Sequence, residues 1–536
     1  MKKNLLYIAL ASLAFTACED LDLRPEGDTT TPDQKEETLN NNPDRAEAGV
    51  NAVFSGLSQY APNSDVLGSV RHNDFGYPAI MMALDACSED VITSDNGYNW
   101  AGNSLDYTDR VYTSNESKIV WNTLYGTVLS ANTVLSTIDE NTEDPQLQYY
   151  MAQAKTTRAF MYLNLVQLYQ FNYEGHENSP AVPLITDKNK DEAATNGCPR
   201  ATVQEVYDQI NDDLTKSIAL LENCGISRPD KRYVSAAVAY GLRARMNLAM
   251  HKYAEAANDA DKAIAAATDC APATFNEINH PTFWDFSEKN WMWGIRVEET
   301  DDVVSSGLIN WISHCGTFNY GYCTVSGSRQ ISKKLYSQIP ESDARKAWFS
   351  NAEGQNPYLT PAYNAYLADN DNGFYPYTSC KFAPYGGYAD GNIGADTNAN
   401  DVALMRIEEM YLIKAEGLAR TGGDGYAVLS AFMTNFRDPQ YSFQATGDRL
   451  INEILKQRRI ELWGEGLIWF DIMRLNQGVD RRGCGFHEPT VIFNIEPNSP
   501  ILLYRLPQTE IQANSAISEG DNNPVASAPD PVKDVE

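Results

Sequence analysis

Histidine is scarce in this chain, six in 536 residues (His72, His176, His251, His280, His314 and His487), and no two are spaced as a metal-binding pair. HExxH, GxSxG, GxxxxGK[ST] and GxGxxG are all missing, and with them the usual sequence marks of zinc hydrolysis, serine acyl transfer, phosphate cradling and dinucleotide binding. Glycoside hydrolysis needs only two carboxylates, which sequence cannot rule out in so acidic a chain. No cofactor and no metal are expected. The segment DNDNG at 369–373 has a faint look of a calcium loop, but without a glutamate at the twelfth position it reads as a solvated turn. Positive charge is short as well: 42 Lys and Arg against 72 Asp and Glu leave a net charge of −30. That field repels nucleic acid and anionic membrane surfaces, and neutral ligands fit it better. The nine cysteines contain no CxxC pair. If disulfides form, Cys315 with Cys323 is the nearest candidate; scattered buried thiols are the other reading. Beyond residue 17 no run is long and apolar enough to span a bilayer.

What is present is an ordered composition, 43% apolar and 11% aromatic. The first stretch, MKKNLLYIALASLAFTAC, has two lysines, an apolar run from Leu5 to Phe15 and small residues before Cys18. This is the layout of an export signal over residues 1–17. Its end resembles the lipobox of bacterial lipoproteins, with Phe15 where leucine is usual, and implies a mature chain that begins with lipid-modified Cys18. Ordinary secretory cleavage is the alternative. Acyl chains at about 0.8 kcal/mol per buried CH₂ anchor a protein durably without a membrane-spanning helix. Residues 18–45 are acidic and poor in large apolar side chains, and read as a flexible tether.

The middle of the chain has helical periodicity. QLQYYMAQAKTTRAFMYLNLVQLYQF, from Gln146, places Met151, Phe160, Leu163 and Val166 at helical recurrence with no proline. ATVQEVYDQINDDLTKSIALLEN follows a capping signal, Thr202 with Glu205 three residues on. Next come YVSAAVAYGLRARMNLAM and HKYAEAANDADKAIAAA, two segments joined by a tight turn and lined with small residues. Their pattern is that of a tetratricopeptide helix hairpin, which must stack on neighbours; segments 146–170, 203–222 and 404–436 are available. From about 270 to 400 the texture changes to aromatic, Gly, Asn and Asp residues without helical period, read as loops and short strands over the helical body. Trp121, on the apolar face of KIVWNTLYGTVLSAN, is expected in the core. The predicted fold is all-α, a single body over residues 46–536 with a tetratricopeptide-rich half (46–270) and a loop-rich, helical half (271–536).

RRIELWGEGLIWFDIMR, residues 458–474, is ambiguous between chemistry and architecture. Leu450, Ile451, Ile454, Leu455 and Leu462 share a helical face, so an amphipathic helix should end before Gly464 and Gly466, which turn the chain into an apolar segment burying Trp469 and Phe470. Glu461 and Glu465 are expected to pair internally with Arg458, Arg459 and Arg474, a structural role.

Several of these segments together carry a resemblance. Lys155 to Phe160 (KTTRAF) with Tyr162 and Leu165, SPAVPLIT at 179–186, CPRATVQEVYDQINDDL at 198–214, Asp343 with Arg345, RIEEMYLIKAEGLAR at 406–420, the 458–474 segment and LLYRLPQTEIQAN at 502–514 resemble the SusD/RagB family of outer-membrane nutrient-binding lipoproteins. The likeness runs from Cys18 to the C-terminus, with departures at Gln457 and at Leu467 and Ile468. It implies a non-enzymatic, lipid-anchored protein of the outer-membrane surface that presents oligosaccharide, or in some members peptide, to a SusC-like TonB-dependent transporter. A transporter lid with little ligand affinity of its own, or a surface hydrolase, are the alternatives.

The family has no fixed ligand motif, so candidate site residues rest on chemistry and position. A sugar ring offers C–H groups on its face and hydroxyls at its rim, matched by flat aromatic rings and by Asn or Asp. The candidates are Tyr98, Asn99 and Trp100 from one loop, Trp311, Tyr320 and Tyr322 from a second, and Asp74 as a hydroxyl acceptor. The competing reading is that these rings only pack between loops.

Overall fold

The computed structural model describes residues 42–61, 73–94, 101–305, 315–320, 328–369 and 373–535. Cys18, Cys323 and residues 370–372 of DNDNG lie outside them, so the lipidation, disulfide-pair and turn expectations do too. Cys87, Cys198, Cys224, Cys270, Cys380 and Cys484 are free thiols.

The long helices are α1 (Arg45–Ser55), α2 (Tyr77–Cys87), α3 (Asn115–Leu135), α4 (Pro145–Tyr169), α5 (Val203–Asn223), α6 (Ala236–Ala249), α7 (Tyr253–Ala266), α8 (Ile407–Arg420), α9 (Gly425–Phe436), α10 (Asp448–Glu461) and the shorter α11 (Ile468–Arg474). From α3 to α8 each packs on the next, and α8 then carries α9 and α10. This is a stacked array of helix hairpins in the tetratricopeptide manner, as predicted. Its strands are short and paired only two by two: β1 (Val91–Ile92) with β5 (Gln330–Ile331), β2 (Pro180–Pro183) with β3 (Arg200–Thr202), β4 (Trp291–Ile295) with β6 (Val402–Arg406), and β7 (Val479–Asp480) with β8 (Asn494–Ile495), all antiparallel. β6 corrects one expectation. The 404–436 segment is not a continuous helical stretch, because its first residues pair with β4 across more than a hundred residues of sequence before α8 begins.

Local chemistry explains the helix boundaries. Asp144 accepts the N–H groups of Gln146 and Leu147, and Pro145 opens α4, where its missing N–H costs nothing. Thr202 and Glu205 form the predicted reciprocal cap of α5: Thr202 Oγ1 accepts Glu205 N–H at 3.2 Å and Glu205 Oε2 accepts Thr202 N–H at 2.8 Å. Thr202→Ala is expected to lower stability by about 1 kcal/mol, read as a shifted denaturation midpoint; an unmoved midpoint would mean the box is redundant. The α6–α7 hairpin packs through Ala256, Ala260 and Ala263, which are fully buried. α4 is apolar nearly all round because it is covered on all sides, by α1, α3 and α5 among others. Its one buried cation, Arg158, is consumed internally: Nε and Nη2 donate to Asp213 at 2.8 and 2.7 Å, and Nη1 donates to Asn132 and Asp187 at 2.7 Å. Trp121 is in the core, with Nε1 donating to Glu510.

The 458–474 segment is architecture, but its pairings differ from those expected. Glu461 is fully buried and accepts from Arg437 (2.7 and 2.8 Å), Arg406 (3.0 Å) and Arg345 (3.3 Å). Glu465 accepts from Arg406 (2.7 and 2.9 Å) and Lys381 (2.5 Å). The neighbouring arginines are engaged elsewhere: Arg458 with Asp471, Arg474 with Asp471 and Glu416, Arg459 with Glu89 and Asp90. The buried face of α10 therefore holds Glu453, Gln457, Arg458 and Glu461 beside Leu450 and Ile454, while Ile451 and Leu455 are only half-buried. Distant counter-charges make that polar face burial-competent. Gly464 and Gly466 turn the chain at φ of 77° and 71°, as expected. At Gly466 a Cβ would stand 2.7 Å from Met81 Cβ, so the turn can sit flat on α2 only without a side chain. Trp469 is buried as predicted; Phe470 is half-buried, a correction, since it borders a small crevice beside Leu467 and Gln167.

Candidate functional site

Helix α2 is the pier of the candidate site. Gly76 precedes it, and Tyr77 N–H donates to Leu57 O at 2.8 Å. Asp74 is only 4% exposed, and its Oδ1 accepts the N–H of Ala61 at 2.9 Å. Residues on either side of segment 62–72 are thereby clasped together. One oxygen of Glu116, in the first turn of α3, accepts from Asn73 Nδ2 at 2.6 Å and from Asn103 Nδ2 at 2.9 Å. This ties the end of the 62–72 segment to the residues that follow segment 95–100. Tyr60 Oη donates to Asp302 O at 3.4 Å, linking the same edge to the short helix Asp302–Ser305 that leads into 306–314.

Two small cavities bracket α2. One of about 20 Å³ is lined by Asn73, Ala79, Ala83, Ala101, Asn103 and Glu116. The other, about 30 Å³, is lined by Met81 and Met82 together with Cys315, Arg329, Phe382 and Asp401. Ala101 follows segment 95–100, Cys315 follows 306–314 and Arg329 lies just past 321–327, so the described ends of all the ring-bearing segments gather about one helix. Beside this edge a cleft of about 410 Å³ opens between α1 and the stretch after β4. Its lining includes Asn51, Ser55, Ser58, Arg296, Glu298 and Asp301. That volume is within the range of small-ligand sites, and its amide, hydroxyl and charged groups match hydroxyl-rich ligands. The rings lining it, Phe54 and Trp293, are buried.

Tyr98, Asn99, Trp100, Trp311 and Tyr322 lie outside the described residues. Tyr320 is half-buried at the end of the 315–320 stretch, which is fixed by Phe318 stacked on Phe374 and by Asn319, whose Nδ2 donates to Asn400 Oδ1 at 2.9 Å. Asp74 is placed with its side chain turned inward. Sequence reasoning missed Glu116 and Arg329. Glu116 follows an N-cap serine, Ser114, and so looks like any first-turn acid.

Two carboxyls here are held high. Burial pushes Asp401 up to about 7 against the lowering effect of the N–H groups of Val297 and Phe286 that it accepts. Burial does the same to Asp85, to about 7, against Arg329 and the N–H of Gly466. Asp401 lines only the 30 Å³ cavity, which admits no sugar ring, and Asp85 is buried under the Gly466 turn. Among the described residues no group of three or more His, Cys, Asp or Glu is placed to hold a metal ion, and no helix is long and apolar enough to cross a membrane.

The stacked helix hairpins define a helical-repeat protein of the tetratricopeptide type. A family model described as "Starch-binding associating with outer membrane" matches residues 76–248, and the SusD family model matches residues 317–524. The chain belongs to the SusD/RagB family, which is associated with the outer membrane. SusD-like protein P2 of Formosa agariphila is 24% identical over 436 residues, 75% of this chain and 79% of that protein. A solved SusD-like carbohydrate binding protein from Bacteroides vulgatus shares the fold at a TM-score of 0.71 and 21% identity, covering 90% of this chain and 98% of that one. Surface glycan-binding protein A from Bacteroides thetaiotaomicron, in complex with laminarihexaose, matches at 0.61 and 18%, covering 88% and 98%.

Proposed function

We propose that this chain is a cell-surface lipoprotein, held to the outer membrane by lipid on Cys18, that captures neutral oligosaccharide or polysaccharide without cleaving it and passes it to a SusC-like TonB-dependent transporter. The observation that carries the reading is the meeting of the ring-bearing segments' ends around α2, beside a 410 Å³ cleft lined with amide and hydroxyl groups. Ring faces from Trp100, Tyr98, Trp311, Tyr320 and Tyr322 would stack on sugar C–H faces, with Asn99 and the cleft's polar groups on the rim hydroxyls. Asp74 serves by joining the residues on either side of segment 62–72, its Oδ1 being already engaged. Family membership and a structural neighbour that holds laminarihexaose support a glycan over a peptide. The net charge of −30 favours uncharged cargo.

Isothermal titration of the mature body with neutral glucan oligosaccharides tests this. Trp100→Ala should weaken binding at least about tenfold, roughly 1.4 kcal/mol, while melting is unchanged. Wild-type protein silent towards every neutral glycan, or release of shortened sugars during the titration, would overturn it.

A further inference from the structure

We propose that the guanidinium of Arg329 is the receptor for one small anionic group, which enters the cavity beside α2: either a free monovalent anion or the carboxylate of an acidic sugar in the cargo. Only the second source rests on the glycan reading above, and it widens the cargo from neutral sugars to chains that carry a uronate. Arg329 is 6% exposed, and its Nη1 is buried with no hydrogen-bond partner among the described residues. Among those residues its Nη2 reaches only the Cys315 carbonyl, at 3.5 Å. Aromatic faces hold the group in place, Phe382 at 5.2 Å and Trp463 at 6.0 Å from ring centre to guanidinium carbon.

The other buried cations show how unusual this is. Arg158, Arg345, Arg406, Arg437 and Arg474 each sit on carboxylates, and Arg481 donates to the carbonyls of Ala86, Ser88, Leu105 and Val491. Arg458 and Arg110 also leave a nitrogen unbonded, yet Asp471 and Asp109 neutralise them. Arg329 combines an unused donor with a cavity into which it can point. A buried cation whose donor is left unbonded is unfavourable, and an anion arriving in a poorly hydrated space supplies the missing acceptor.

Nearby carboxyls do not fill this role. Glu465 is taken by Arg406 and Lys381, Asp401 accepts the N–H groups of Val297 and Phe286, and Asp85 feels the Arg329 charge but accepts Gly466 N–H. A volume of about 30 Å³ with Met81, Met82, Phe283 and Phe382 in its wall, beside the already engaged carboxyls of Asp401 and Glu465, suits a halide or the end of a carboxylate, and excludes a whole sugar ring.

Crystals soaked in sodium bromide give the first arm: an anomalous peak within hydrogen-bonding reach of Arg329 Nη1 assigns a free anion. Calorimetry with sodium glucuronate against glucose gives the second: glucuronate should bind saturably and glucose not, with at least a tenfold loss in Arg329→Gln and partial retention in Arg329→Lys. Absence of both the bromide peak and glucuronate binding overturns the proposal, as does glucuronate binding that Arg329→Gln leaves intact. The bromide arm needs no variant, so a misfolded substitution does not block the test. Neutral glycan binding with neither anion signal defeats this proposal alone, and an anion signal without glycan binding defeats only the preceding one.

Discussion

Replacing Glu461 by glutamine is expected to lower the unfolding free energy by about 3–5 kcal/mol, the cost of removing one partner from a buried ion pair. The carboxylate is the shared acceptor of three guanidinium groups, those of Arg437, Arg406 and Arg345, which also lean on Glu408, Glu465 and Asp343. Glutamine keeps the shape but supplies one neutral oxygen to donors carrying full charges. Burial alone would push the Glu461 carboxyl up, but Arg437 first, then Arg406 and Arg345, hold it well below the ordinary value of 4.5. A carboxylate depressed in the folded state contributes stability that is fully present above its unfolded value and lost as pH falls through the folded one. The gap between wild type and variant should thus be full at pH near 7 and shrink only under acid conditions below that 4.5. Urea titrations at several pH values check both points. A gap under about 1 kcal/mol at neutral pH, the size of a surface pair, would show that the arginines find other partners.

Gly76→Ala should cost about 3 kcal/mol, part from backbone strain and part from overlap. Gly76 has φ 82° and ψ −154°, a region open essentially to glycine alone, and an added Cβ would run into the Leu57 carbonyl and come 3.0 Å from Gln59 O. Those atoms belong to backbone that already accepts Tyr77 N–H, so they cannot simply step aside. Because the same residue sets the start of α2, glycan affinity should fall along with the denaturation midpoint. A variant that melts and binds like wild type would remove α2 from its place as the pier of the site.

Features set by neighbouring residues were legible in the sequence. The Thr202–Glu205 box, the α6–α7 hairpin, the burial of Trp121 and the double-glycine turn at 464 and 466 all depend on spacings of a few residues. The partners of Glu461 were not legible, because they stand 24, 55 and 116 residues away and nothing in local spacing ranks Arg406 above Arg458. The same remoteness misled the expected face of α10. Glu453, Gln457 and Arg458 look solvent-facing until side chains such as Arg345 and Asp471 are brought against them. At the candidate site the clasp was not foreseen. Asp74 looks like a free acceptor in a list of residues, and only the fold reveals that it closes on Ala61. Arg329 carries no signal at all within SGSRQ, since a donor left unbonded inside the fold is a property of three dimensions.

Ser117 donates to the carbonyl of Arg505, Trp121 to Glu510, Trp463 to the carbonyl of Asp90, and Arg459 pairs with Asp90, so bonds spanning 369 to 389 residues seal the interior. A polypeptide delivered amino end first cannot finish its core until its last tenth arrives. Such late closure keeps a threaded polypeptide pliable during passage, and exposes it to aggregation for just as long. Truncation near residue 500 should therefore leave no partly working remnant, only a sticky one.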